Sequence, residues 1–270
     1  MIDPSAQIDP GAVIGQNVRI GPFSVIEKGV VMGDDCRLGS HVVLRQGTIL
    51  GAGSQVHAGA VLGGEPQDLR FDPALESGVV IGAESIIREG VTVNRSTKPG
   101  HHTLLGKRVF LMANSHVGHD GDLGDGVILA NNVMLAGHVS VGAHTFIGGG
   151  AGIHQFVRIG TGVMVGGHAS ITRDIPPYLM VAERDRIAGL NSIGCRRRGM
   201  DRSHLALLKD LLRAYGRSPA AFRDGAAARL EEEGWEETHP GAVFLRFFVP
   251  SKRGICPYLP TQAREREEEG

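Results

Sequence analysis

Twelve histidines are spread over the 270 residues, and one block, Asn114-Ser115-His116-Val117-Gly118-His119-Asp120, sets two of them beside a carboxylate. An imidazole titrates near neutral pH and serves as a general base or as a metal ligand. An aspartate directly after it orients the ring or holds its tautomer, so His119 with Asp120 reads as an acid–base pair. A zinc ligand set is the rival reading, and a set of exposed polar side chains is the plain one. Further histidines stand at His101, His138 and His154. Whether these rings share one site depends on what positions them.

Internal repetition answers that. From Ile2 an apolar residue returns every six positions (Ile8, Ile14, Ile20, Ile26, Met32) through Leu62, resumes at Ile81, Ile87 and Val93, and after a lapse at Pro99 continues from Leu105 to Ile171. All 26 of these anchors are Ile, Leu, Val or Met. A period of six fits neither a helix nor a long alternating strand, but it admits short strands joined by corners. Gly often follows the anchor, as at Gly15, Gly21 and Gly118, and relaxes the corner. The pattern resembles the hexapeptide-repeat family, whose strands coil into a left-handed parallel β-helix of triangular section, three hexads to a coil. The resemblance covers residues 2–175 and alone supplies the left hand, since parallel crossovers in general are right-handed. On such a frame, residues 18 apart sit one coil above another, about 4.8 Å away. His101, His119, Gly137 beside His138, and Gln155 beside His154 then follow one edge of the prism.

Two interruptions, 63–78 and 94–103, read as surface loops that carry function. Past Asp174-Ile175-Pro176-Pro177-Tyr178 the hexads stop, because paired prolines cannot continue a strand ladder. Residues 176–270 read as a C-terminal α-helical domain. Leu205, Leu208, Leu211, Leu212 and Tyr215 share a helical face, Gly216 and Pro219 mark a break before a helix over 220–233, and 242–249 is a last helical stretch. The tail over 264–270 is expected to be disordered. The 28 basic and 29 acidic side chains leave a net charge of -1, which argues against bulk binding to nucleic acid or anionic membrane. Cys36, Cys195 and Cys256 supply neither a disulfide frame nor a zinc motif. No stretch approaches the ~18 apolar residues of a membrane span, and the expectation is a soluble cytoplasmic protein.

Around the histidines the likeness narrows. The 114–120 block, Leu129-Ala130-Asn131-Asn132, Leu135-Ala136-Gly137-His138-Val139, His154-Gln155-Phe156, Val163-Met164-Val165-Gly166-Gly167, and Asp174 to Tyr178 resemble the UDP-N-acetylglucosamine O-acyltransferases of lipid A biosynthesis. Gly64 to Phe71 and Gly189 to Gly199 match that family in order. The resemblance implies transfer of a 3-hydroxyacyl group from acyl carrier protein to the 3-position of UDP-N-acetylglucosamine, in a homotrimer with sites between prisms. It makes His119 the base, Asp120 its orienter and the Gly137 N–H an oxyanion donor. It gives binding roles to Gln67, Asp68, Arg70, His116, His138, His154, Asn191, Arg197 and Arg198, and makes Gly167 the stop that limits acyl length. No cofactor or metal is implied. Arg158 and Arg173 are candidates for a basic rim facing the acidic carrier protein. Ile193, Cys195 and Met200 depart from the residues common in the family, which bears on the uridine contacts. A zinc hydratase of the gamma carbonic anhydrase kind and a noncatalytic β-solenoid scaffold are the alternatives.

Overall fold

A computed structural model describes residues 1–248 and 253–258. Among them the hexads form strands of mostly two residues that wind around three faces. The first face runs from Gln7–Ile8 to Ser170–Ile171 in nine strands, and the second from Val13–Ile14 to Arg158–Ile159 in eight. The third begins at Arg19–Ile20 and has ten. The hexad strands of each face form a parallel ladder; on the first, Val117 pairs with Leu135 and Leu135 with Ile153. The anchors point inward, and Ile26, Leu44, Leu62, Val117, Leu135 and Ile153 are all buried. Each such burial contributes ~1.5–3 kcal/mol over exposure. Because the anchor and the buried residue two places before it, such as Val42 or Val133, fill the interior, the outer residue of each strand is free to vary, and the site is made from outer and corner residues. Corners are close: a Cβ on Gly118 would lie 2.7 Å from Gly137 N on the next coil, so this position has no room for a side chain.

Both interruptions are loops, between Val61–Gly64 and Gly78–Ile81 and between Thr92–Asn94 and His102–Leu105. The second adds six residues to its coil on the first face, where Thr92 pairs with His116. The strands outlast the hexads, which corrects the expectation that they cease at residue 175. Pro177 sits at a corner against Gly160, where no ladder N–H is asked of it. Leu179–Ala182 then adds a parallel rung, Met164 opposite Met180, and Arg186–Leu190 turns back antiparallel.

Among the described residues four helices follow: α1 (Ser192–Arg197), α2 (Arg202–Arg217), α3 (Pro219–Glu233) and α4 (Pro240–Arg246). α2 buries the five residues expected on its inner face and runs through Gly216, so the break falls at Ser218. Pro219 cannot extend α2 and instead opens α3, where its missing N–H costs nothing. α4 is shorter than the 242–249 stretch, and residue 249 and the 264–270 tail lie outside the described residues. The C-terminal region packs on the upper coils: Arg158 of the second face donates to Phe247 O at 3.1 Å, and Asp174 bridges to Ile255.

Candidate active site

His119 occupies the corner after the His116–Val117 strand, and its ring lies across the coil above. A Cβ on Gly137 would stand 2.5 Å from both Cε1 and Nε2 of His119, so only glycine leaves the ring its place. Asp120 follows with left-handed backbone (φ 58), its N–H donating to Thr103 Oγ1 at 2.9 Å. Its carboxylate accepts from Ser96 Oγ at 2.5 Å, Thr97 Oγ1 at 2.6 Å and Thr97 N at 3.2 Å. Burial raises the Asp120 carboxyl, but hydrogen bonds from Ser96, Thr97 and His119 outweigh it and hold the group well below the usual carboxylate range. An ionised carboxylate only accepts. His119 Nδ1, at 2.8 Å, therefore carries the proton toward Asp120 and leaves the Nε2 lone pair free beside Gly137. The Gly137 carbonyl accepts from Phe156 N, while its own N–H has no acceptor among the described residues.

The neighbouring rings are held in place. His138 meets His119 edge-on at 5.0 Å, stacks on Phe156 at 4.5 Å and brings Nε2 to 3.7 Å from Asp120 Oδ2. Nδ1 of His116 bonds to Thr92 Oγ1 at 2.8 Å. Burial above all, with repulsion from the His119 ring whenever that is protonated, pushes its pKa down, which favours the neutral ring. His154 follows the next strand up, over Ala136, and lines the cleft. His101 does not join them. It is exposed in the second loop with Nδ1 on Pro99 O, so the expected column of four imidazoles begins at His119.

A cleft of about 800 Å³ runs along the first face from the rung of Thr92 and Asn94 to that of Ser170 and Thr172, passing His116, His119 and Gly137. The first loop brings Gln67 to its wall. Next to it, Asp68 accepts from Arg70 Nε at 3.2 Å, Nη2 at 3.0 Å and the Arg70 N–H, and these bonds with the guanidinium charge hold its carboxyl at about 2. Four residues lie elsewhere. Gly167 is at the edge between third and first faces beside Gly149 O. Asn191 is buried, capping α1 through Gly194 N and donating to Gly162 O at 2.9 Å. Arg197 ends α1, and Arg198 lies against the carbonyls of His144 and Gly162, both at 3.4 Å, on the edge between second and third faces. One chain therefore joins His119, Asp120, Gly137, Gln67, Asp68, His116, His138 and His154, with Arg70 held on Asp68 but largely exposed, and leaves the other group apart.

Ligand-capable atoms of His119, Asp120 and His138 fall within 4.8 Å of one another. With Ser96, Thr97 and His119 all donating to Asp120, its lone pairs are engaged, and the cluster suits proton transfer better than zinc. The sequence marks the 94–103 insertion as a loop but nothing in its spacing ties Ser96 or Thr97 to Asp120. Two hydroxyl residues in an insertion just ahead of a catalytic-type corner were the available signal.

The hexads match the sequence profile described as bacterial transferase hexapeptide over residues 29–64, and that of the hexapeptide repeat of succinyl-transferase over 11–46 and 138–173. Coil and histidine corner together define a hexapeptide-repeat transferase. Residues 174–256 match the second domain of UDP N-acetylglucosamine O-acyltransferase. The curated acyl-carrier-protein–UDP-N-acetylglucosamine O-acyltransferase of Sinorhizobium medicae is 45% identical over 233 residues, 86% of each chain. That of Campylobacter lari is 37% identical over 259 residues, 95% of this chain and 97% of its own. The solved UDP-N-acetylglucosamine acyltransferase of Campylobacter jejuni superposes with a TM-score of 0.88 at 34% identity, covering 96% of this chain and 100% of that one. That of Francisella novicida gives 0.89 at 30% identity, covering 97% and 96%. The chain belongs to the UDP-N-acetylglucosamine O-acyltransferase family, and its fold is the left-handed parallel β-helix with a C-terminal helical domain that the sequence led us to expect.

Proposed function

We propose that this chain transfers a 3-hydroxyacyl group from acyl carrier protein to the 3-position of UDP-N-acetylglucosamine, the first step of lipid A biosynthesis. His119 Nε2 takes the proton of the sugar 3-hydroxyl as its oxygen attacks the thioester carbonyl. The Gly137 N–H donates to the oxyanion, and Gly118, having no side chain, leaves that N–H uncovered. Collapse breaks the C–S bond, and the proton on His119 passes to the departing thiolate of the carrier. Asp120 keeps the imidazole in the right tautomer and stabilises its charged form. Gln67, Asp68, Arg70, His116, His138 and His154 bind sugar and acyl groups, and the guanidinium forks of Arg197 and Arg198 suit the two phosphates.

That Gly167, Asn191, Arg197 and Arg198 stand on other edges of the prism supports a homotrimer in which a neighbouring copy completes each site. No helix among the described residues is long and apolar enough to cross a membrane, in keeping with work in the cytoplasm on carrier-bound acyl groups. The observation that carries the reading is the His119 ring laid against Gly137 with Nδ1 committed to Asp120. Replacing the base, His119→Ala, is expected to lower kcat by ~10²–10⁴-fold while UDP-N-acetylglucosamine still binds. Turnover within a few-fold of the unaltered enzyme would remove His119 from the chemistry.

A further inference from the structure

The outer residues of the first face form a ladder up the cleft wall: Thr92, His116, Met134, Gly152 and Ser170, each opposite the next. Gly152 is the one rung without a side chain, and nothing in the fold requires that. Its φ is not among the left-handed ones. A Cβ there would meet a single atom within 4 Å, the Cε of Met134 at 4.0 Å, whereas at Gly118 and Gly137 it would collide at 2.7 and 2.5 Å. Glycine inside a strand weakens it, and it is retained where a ligand or another backbone comes close. Gly152 lines the cleft two rungs above His116, roughly 10 Å along the prism axis. Below it stands Met134, a half-exposed, flexible apolar side chain that yields to what lies against it.

We propose that the trough over Gly152, walled by Met134, receives methylenes of the transferred acyl chain, and that the size of residue 152 sets which 3-hydroxyacyl lengths the enzyme accepts. The inference rests on the acyl-transfer reading of His119 and Gly137, and it adds a determinant to Gly167, which stands at the opposite edge of the same face. A methyl group at this position projects into the trough without touching the coil. One methylene of misfit in an apolar pocket is worth about 10–200-fold in discrimination.

The test is competition among 3-hydroxyacyl carrier proteins of graded length, with products separated by mass spectrometry, for the unaltered full chain, Gly152→Ala and Gly152→Val. The expected result is a shift of both variants to shorter chains. kcat/KM should fall tenfold or more for the longest chain used by the unaltered enzyme and less than threefold for the shortest, with KM for the UDP-sugar unchanged. An unchanged product distribution would overturn the proposal. A loss equal at all lengths would do so too, since it would signal a neighbouring backbone at residue 152. Should Gly152→Val fail to assemble, Gly152→Ala alone decides. Failure of the underlying mechanism would appear separately, as turnover surviving in His119→Ala.

Discussion

One edge of the prism, between the first and second faces, is built in two ways. In the lower coils its left-handed corner residues are Gly29 (φ 73) and Gly47 (φ 79); in the upper coils they are Asp120 (φ 58), His138 (φ 61) and Phe156 (φ 67). The strands before these corners bury equivalent anchors, Ile26 and Leu44 below and Val117, Leu135 and Ile153 above. Coiling therefore does not require the change. An L-residue in this conformation costs ~1–2 kcal/mol where glycine costs little. At Asp120 the hydrogen bonds from Ser96, Thr97 and His119 offset it, and at His138 and Phe156 the ring stack does. Positive φ without glycine is not itself a mark of function, because Asn17, Asp35 and Asn132 adopt it at other corners. What distinguishes the upper coils is that these side chains reach one another and His119, whose ring lines the cleft.

The largest effect after loss of the base is expected from Gly137→Ala. The new methyl would occupy the space of the His119 ring, displace Nε2 and crowd the N–H assigned to the oxyanion. We expect kcat to fall by ~10²-fold or more, with thermal unfolding little altered because a ring beside solvent has room to swing. Steady-state kinetics with the acyl carrier substrate measure this. Activity within threefold of normal would mean that the ring's position over Gly137 is incidental and that the upper coils are merely decorated.

Removing the groups that hold Asp120 comes next. In Ser96→Ala with Thr97→Val the carboxylate loses its hydroxyl donors, and we expect roughly tenfold lower kcat at unchanged KM for the UDP-sugar, an order typical of losing a ring's orientation within general-base catalysis. The pH dependence has a definite sign. A carboxyl depressed in the folded state adds stability above its unfolded pKa of ~3.9, and this is lost as pH falls through the folded value. The double variant raises the folded pKa toward the unfolded one. Its deficit in urea unfolding should thus be present at pH 7 and shrink on acidification below about pH 4. A deficit independent of pH would place the loss in loop packing instead.

The sequence revealed the coil because the inner position admits only four residue types over 26 repeats, a constraint imposed by the buried interior. His119 and Gly137 were legible for the same reason, as 18 residues make one coil. His101 was misplaced because that count survives on the second face, where Leu104 pairs with Asp122, but not on the first, where the insertion puts Thr92 opposite His116. Ser96 and Thr97 had no period to reveal them, since their contact with Asp120 exists only when the loop folds back over the corner. Pro176 and Pro177 point to an end of the strands in the sequence because a proline's missing N–H harms a strand but not a corner, and nothing past the last hexad marks where that corner falls.

The smallest expected effect tests whether the lower coils are plain scaffold. A Cβ on Gly29 would have only Gln46 Cγ near it, at 4.0 Å, so Gly29→Asn changes backbone strain and almost nothing else. Asparagine tolerates this conformation better than most residues, and we expect a loss of about 1 kcal/mol in unfolding free energy with kcat and the acyl-length profile unaltered. Differential calorimetry and the transfer assay read the two quantities independently. A fall in kcat would show that the lower coils take part in the site, and the contrast between glycine corners and catalytic corners would then be one of degree. If stability alone moves, the strain at residue 29 is of the ordinary kind that Asn17, Asp35 and Asn132 bear at other corners, and what sets Asp120, His138 and Phe156 apart is their contact with one another and with His119.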